Sequence, residues 1–226
     1  MSSPFYKIRR DSCVLWNLPK IIWFNFHYLP FKQAVRLPIW LRKTHLLKCV
    51  GKIVIDSPKV FPGMIRLGSY SVSVYPDNGV CFENKGILVF KGRAGISNFS
   101  GVSIAGGGKM IFGDNVVINA SKLVCFSGIC IEDNVMIGWE SKILDCDLHH
   151  VVDFATKTKI PNKGPITIGH HTWLCNNVTI TKNVTIPPNT IVASHSVVNK
   201  TLDIPEYSLV AGTPAVLKKI GISWEK

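Results

Sequence analysis

Paired cysteines are missing from this chain. Its seven cysteines, Cys13, Cys49, Cys81, Cys125, Cys130, Cys146 and Cys175, are scattered, odd in number, and never form a C-x-x-C unit. That pattern disfavours a zinc knuckle and reads as reduced, partly buried thiols of a cytoplasmic protein. Long apolar runs are missing too. The longest are broken by Asn25, His27 and Pro30, or by Arg36 and Pro38, so none is long enough to span a bilayer. The start of the chain lacks the succession of charge, apolar stretch and small-residue cleavage site that marks a signal peptide, so a cytoplasmic setting is expected. Acidic residues are scarce: 14 Asp and Glu face 26 Lys and Arg, a formal net charge of +12. That balance favours an anionic partner, whether a phosphate-rich cofactor, an anionic membrane surface or a nucleic acid. With 46% hydrophobic and 18% charged residues in 226, disorder is excluded and one domain with an appendage is expected.

The positive charge is uneven. Lys7, Arg9, Arg10, Lys20, Lys32, Arg36, Arg42, Lys43 and Lys48 crowd residues 1–49, where only Asp11 opposes them. From Lys20 to Lys32 the basic residues are mixed with Trp23, Phe24, Phe26, Tyr28 and Phe31. Aromatic rings among lysines suit the headgroup level of an anionic membrane. They suit equally a cap over the open end of a solenoid, which such folds require. Both readings of residues 1–49 stay open.

Beyond Phe112 a period of six takes over. Aliphatic anchors recur as Phe112, Ile118, Val124, then after a one-residue slip as Ile131, Ile137, Ile143. After a longer interruption come Ile168, Leu174, Ile180, Ile186, Val192 and Val198. The fourth residue after an anchor is again aliphatic or small, as at Val116, Val135, Thr172, Val178, Val184, Thr190 and Ser196. A helix would repeat near 3.6 residues and a lone strand near two. Six means one short strand and one turn per unit, and three units close a triangular coil whose anchors point inward.

This pattern resembles the hexapeptide-repeat acyltransferases over Phe112 to Lys219, and in particular their sugar and polysaccharide O-acetyltransferase branch. The resemblance implies an all-β fold, a left-handed parallel β-helix of hexapeptide repeats; the left hand comes from the family and not from the spacing. The expected division is a small N-terminal cap or membrane-contact segment at 1–49, a parallel β-helix at 50–205 with an active-site loop at 149–165, and a short C-terminal extension at 206–226 near the cofactor.

The interruption in the frame opens with Asp145-Cys146-Asp147-Leu148-His149-His150. Long irregular insertions in regular scaffolds are often functional loops. A positioned imidazole can take the proton of a sugar hydroxyl as it attacks a thioester. The Asp-x-Asp-x-His segment is similar to that of the O-acetyltransferase branch, and implies His149 as general base with His150 as its alternate. Asp147 or Asp145 would orient the ring or simply shape the turn. The family's second polar residue, an asparagine one coil earlier, falls nearest Asn119.

For the donor, acetyl-CoA, the resemblance points to Trp173 beside the pantetheine arm. It points also to the small-residue stretch with Ala193, Ser194, His195, Asn199 and Lys200, to Thr213 in the exit turn Ala211-Gly212-Thr213-Pro214-Ala215, and to Lys219 near the phosphates. His195, Asn199 and Thr201 stand where the family usually has glycine, threonine and aspartate. A sugar or glycan acceptor, lipid-linked ones included, a homotrimer with sites between neighbouring β-helices, and no metal complete the implied picture. Two other readings compete. One is a γ-class carbonic-anhydrase-like zinc hydratase, which would gather His149, His150, His170, His171 and His195. The other is a non-catalytic β-helix that binds a glycan. Nucleic-acid binding has the charge but no recognisable motif, so no nucleic-acid partner is expected.

Overall fold

The computed structural model describes residues 17–69 and 74–225. The described chain winds as a left-handed parallel β-helix of triangular section. Its three faces are sheets of nine, seven and six strands, and each coil lays one short strand on each face in turn. Among the described residues the strand pairings between successive coils are parallel; the last hairpin, Ser208–Gly212 against Ala215–Ile220, and two isolated bridges in the long insertion are antiparallel.

The anchors form the core. Phe112, Ile118, Ile131, Ile137, Ile143, Ile168, Leu174, Ile180, Ile186 and Val192 are fully buried, and Val198 nearly so. Val124 is an exception to the expected frame. It faces outward and half-exposed, while Leu123 is fully buried and in register with Ile143. The slip therefore falls one strand earlier than the spacing suggested. Its cause is the corner Asn119-Ala120-Ser121, after which the strand Lys122–Cys125 turns both Leu123 and Cys125 inward.

The coils also begin earlier than residue 50. Ile39–Leu41 and Thr44–Cys49 are already strands of the first coil, paired in parallel with Ile65–Ser69 and Val80–Asn84. Here the connecting segments are longer, so alternate residues still point inward but sixfold spacing is lost. At the other end the nine-stranded face runs on past 205 into Ser208–Gly212.

The helix Leu18–Tyr28 lies against the first coil. Its inner side buries Ile21, Phe24 and Asn25 completely. The Asn25 amide donates to the carbonyl of Ile39 at 2.8 Å and its oxygen accepts from the Ile39 N–H at 3.0 Å, so an open strand edge is satisfied by one side chain. The outer side leaves Ile22, Trp23 and Phe26 exposed, followed by Phe31 and Val35. Lys7, Arg9, Arg10, Asp11 and Cys13 lie outside the described residues. No described helix is long and apolar enough to cross a membrane.

Candidate active site

Three edges separate the faces. The first, between the nine- and seven-stranded faces, carries a column of residues with left-handed backbone: Phe99, Ala120, Glu140, Asn177 and His195, with φ of 66°, 42°, 59°, 58° and 59°. Tight corners demand this conformation, which disfavours most L-residues. It explains why glycine would be at home at position 195. Behind the column stand buried serines. Ser100 Oγ accepts from the Ser121 N–H, Ser121 Oγ from Ser141 N–H and Ser141 Oγ from Val178 N–H, each at 3.2 Å. Ser196 Oγ continues the column by accepting from Gly212 N–H at 3.1 Å, which docks the exit turn on the last coil.

The second edge, between the seven- and six-stranded faces, carries the long insertion between Leu144 and Ile166. Its base is built around Asp145, which is fully buried. One carboxylate oxygen accepts from Phe126 N–H at 2.7 Å, the other from Ser127 and Gly128 N–H at 2.8 Å. Across the base, Gly164 N–H donates to the Asp145 carbonyl at 2.9 Å and Asp147 N–H to the Asn162 carbonyl at 2.7 Å. Gly164 lets the Asn183 side chain close against the neck, since a Cβ would come within 1.8 Å of Asn183 Oδ1 and displace it. The insertion thus leaves and rejoins the coil at a closed neck.

From that neck His149 and His150 project into solvent, both exposed. The His149 N–H donates to the Asp147 carbonyl at 2.8 Å, and Leu148 takes a left-handed φ of 64° to make the bend. Neither aspartate is bonded to an imidazole. Both oxygens of Asp145 are committed to backbone donors, and Asp147 forms an ion pair with Lys182 from the next coil. Lys182 was not singled out from the sequence. Its signal is its place two residues past the anchor Ile180, at the same edge one coil on.

The remaining candidates divide between edges. Asn119 sits at the first edge and donates to the Ile137 carbonyl at 3.2 Å. Ala193, Ser194 and His195 lie at the same edge two coils beyond Gly138, and Thr213 Oγ1 rests against the His195 carbonyl at 3.5 Å. Asn199 and Lys200 are exposed where the seven-stranded face ends, on the side of the insertion, and Lys219 is exposed on the final hairpin opposite Leu209. Trp173 stands on the nine-stranded face between Met136 and Ile191. It is half-buried, its ring 6.0 Å from that of Trp224. Trp224 is itself stacked on His171 at 5.0 Å and donates to the His171 carbonyl at 2.9 Å. The tail thereby shields one side of Trp173, a contact invisible in the repeat pattern because Trp224 lies outside it.

Within one chain, then, the histidines sit on different edges: His149 and His150 on the second, His170 and His171 on the third, His195 on the first. Among the described residues no group of three or more His, Cys, Asp and Glu converges on a point. Burial, reinforced by the charge of Asp145 and a hydrogen bond to it, pushes the Cys125 thiol up to about 12. Burial raises Cys49, Cys130 and Cys175 as well, so none of these four supplies a thiolate near neutrality.

No protein-family model matches the sequence. The chain is 35% identical over 186 residues to the "Uncharacterized 24.8 kDa protein in cps region" of Klebsiella pneumoniae, covering 77% of this chain and 82% of that one. It is 34% identical over 123 residues to a Mycobacterium tuberculosis protein described as a probable acetyltransferase, covering 52% of this chain but only 40% of the relative. Among solved structures, that of the polySia-specific acetyltransferase NeuO superposes with a TM-score of 0.61 at 19% identity, over 81% of this chain and 79% of the other.

Proposed function

Since the chain belongs to the hexapeptide-repeat acyltransferase family, we propose that it moves an acetyl group from acetyl-CoA to a hydroxyl of a sugar or glycan, in the synthesis of a bacterial surface polysaccharide. The observation that carries this is the neck at Asp145 and Gly164, which holds an exposed His149 where the coil is interrupted. A hydroxyl is a weak nucleophile, and a positioned imidazole is suited to take its proton. The hydroxyl oxygen bonds to the thioester carbonyl carbon while His149 accepts the proton. The carbon–sulfur bond then breaks, and the imidazolium returns the proton to the departing thiolate. An acetyl ester and free CoA thiol result. Raised thiols at four of the cysteines favour this direct transfer over an acyl-cysteine intermediate.

Asn119 lies on another edge from His149, so the reaction centre is proposed to form between chains of a homotrimer, an edge of one beside an edge of the next. The insertion supports this: Leu148, Val151, Val152, Phe154 and Ile160 are all exposed in the single chain. An amide or backbone N–H from the adjacent chain would meet the oxyanion of the tetrahedral intermediate. We place acetyl-CoA on the surface around Ala193, Ser194, His195 and Thr213, where the small side chains of Ala193, Ser194 and Thr213 leave backbone accessible, with Lys200 and Lys219 toward its phosphates. Incubation with acetyl-CoA and a panel of nucleotide sugars and acidic and neutral oligosaccharides should release thiol in step with ester formation. Thiol release that no acceptor stimulates would refute the reading.

The outer side of Leu18–Tyr28, with Trp23, Phe26 and nearby Lys32 and Arg36, is proposed to meet an anionic membrane where lipid-linked acceptors reside. In flotation, the protein should rise with vesicles containing anionic phospholipid and stay down with neutral ones. Trp23→Ala combined with Phe26→Ala should abolish the rise, since both rings face outward.

A further inference from the structure

The first edge carries an aromatic surface that the reaction above does not use. Phe99 and Trp139 stand at this edge on the third and fifth coils; in the left-handed column the fourth coil places Ala120 between Phe99 and Glu140, and Trp139 directly precedes Glu140. Tyr75, arriving from the segment before Val80, lies over that gap, its ring 5.5 Å from Phe99 and 6.0 Å from Trp139. The Tyr75 hydroxyl is held by Glu140 Oε1 at 3.1 Å. Phe99 is 37% exposed, and Tyr75 and Trp139 are partly so. Tyr75 is tilted 31° from Phe99 and meets Trp139 edge-on at 60°, so the three rings make a partly accessible aromatic cluster at the surface rather than part of the core.

Beside the cluster, on the seven-stranded face, stand two lysines in register, Lys122 and Lys142, both exposed. Lys122 lies along Gly101, where a Cβ would come within 3.2 Å of its chain, and its ammonium sits 5.0 Å from the Phe99 ring centre. It donates to the Phe99 carbonyl at 2.6 Å. Among the described residues neither lysine is ion-paired with a carboxylate. Beyond them the same strand continues to Leu144 and the neck of the insertion. The aromatic cluster at the first edge, the two lysines and the insertion at the second edge thus follow one another across the seven-stranded face.

We propose that this face is the acceptor subsite and that it takes an anionic glycan. One sugar ring packs its apolar face against the cluster of Tyr75, Phe99 and Trp139. The carboxylate of a neighbouring unit meets Lys122 and Lys142. The next unit along presents its hydroxyl at the insertion. Apolar sugar faces match aromatic rings, and two exposed lysines in register without a carboxylate partner among the described residues, one of them held beside Phe99, favour a negatively charged chain over a neutral one. The assignment rests on the acetyl-transfer reading for its role but not for its binding chemistry.

Two double variants test it, Phe99→Ala with Trp139→Ala, and Lys122→Gln with Lys142→Gln, the second touching only exposed side chains. Binding is read by intrinsic fluorescence without acetyl-CoA, using uronate- and sialate-containing oligosaccharides, a maltooligosaccharide of equal length and an oligouridylate. The acidic glycans should bind the wild-type chain, and at least about tenfold more weakly each double variant. In turnover, KM for the acceptor should rise by a similar factor, while kcat at saturation and KM for acetyl-CoA stay within about twofold. Equal affinity in the variants, equal binding of the neutral oligosaccharide, or preference for the oligouridylate would overturn the proposal. Binding that follows the expected order with no ester formed would instead count against the transfer reaction and leave the subsite standing.

Discussion

His149→Ala is expected to abolish most turnover, lowering kcat by about 10²- to 10⁴-fold, the range supplied by a positioned acid–base group. The side chain is exposed and forms no contact that supports the coil, so the melting temperature and the affinity for acetyl-CoA should be unchanged. His150→Ala provides the control: it should retain turnover within about tenfold, because it stands one residue beyond the bend that the His149 N–H closes on the Asp147 carbonyl. Full turnover of His149→Ala would remove the residue from the mechanism. Loss confined to His150→Ala would move the role by one position.

Asp145→Ala should act through the fold. Its fully buried carboxylate satisfies three backbone N–H groups at Phe126, Ser127 and Gly128, and alanine leaves all three without their acceptor. Unsatisfied buried donors are costly, so a loss of about 3–5 kcal/mol is expected. For a chain of this size that is a fall of about 10 °C or more in melting temperature. Asp145→Asn keeps an acceptor but turns an N–H₂ toward a donor, and should recover only part of the loss. Differential scanning calorimetry of the three proteins checks the order. Turnover should fall in parallel with stability, whereas for His149→Ala the two are uncoupled. A stable, inactive Asp145→Asn would mean that the carboxylate acts on the imidazole after all, against the geometry of its three backbone hydrogen bonds on the preceding corner.

The two aspartates show where sequence reasoning stops. Asp145 and Asp147 flank the histidine in a recognisable pattern, yet one is spent on a corner of the preceding coil and the other on Lys182 of the following one. Both partners are about one coil away, a distance that linear spacing cannot reveal. The same holds for Trp173, whose neighbour Trp224 lies beyond the last repeat.

The sixfold recurrence of aliphatic residues by itself determined the triangular coil, the buried ladder and the position of the insertion, because each of these follows from which side chains must leave water. Even its errors were local: Val124 was placed inward because a five-residue step to Leu123 hides beneath a six-residue step. The early coils escaped because long connections erase a period without changing alternation along each strand. Only the tertiary structure decided which polar groups stand together, since stacking brings residues about twenty positions apart into contact. That stacking set His149 and Asn119 on separate edges, and gathered Tyr75, Phe99 and Trp139 at one of them.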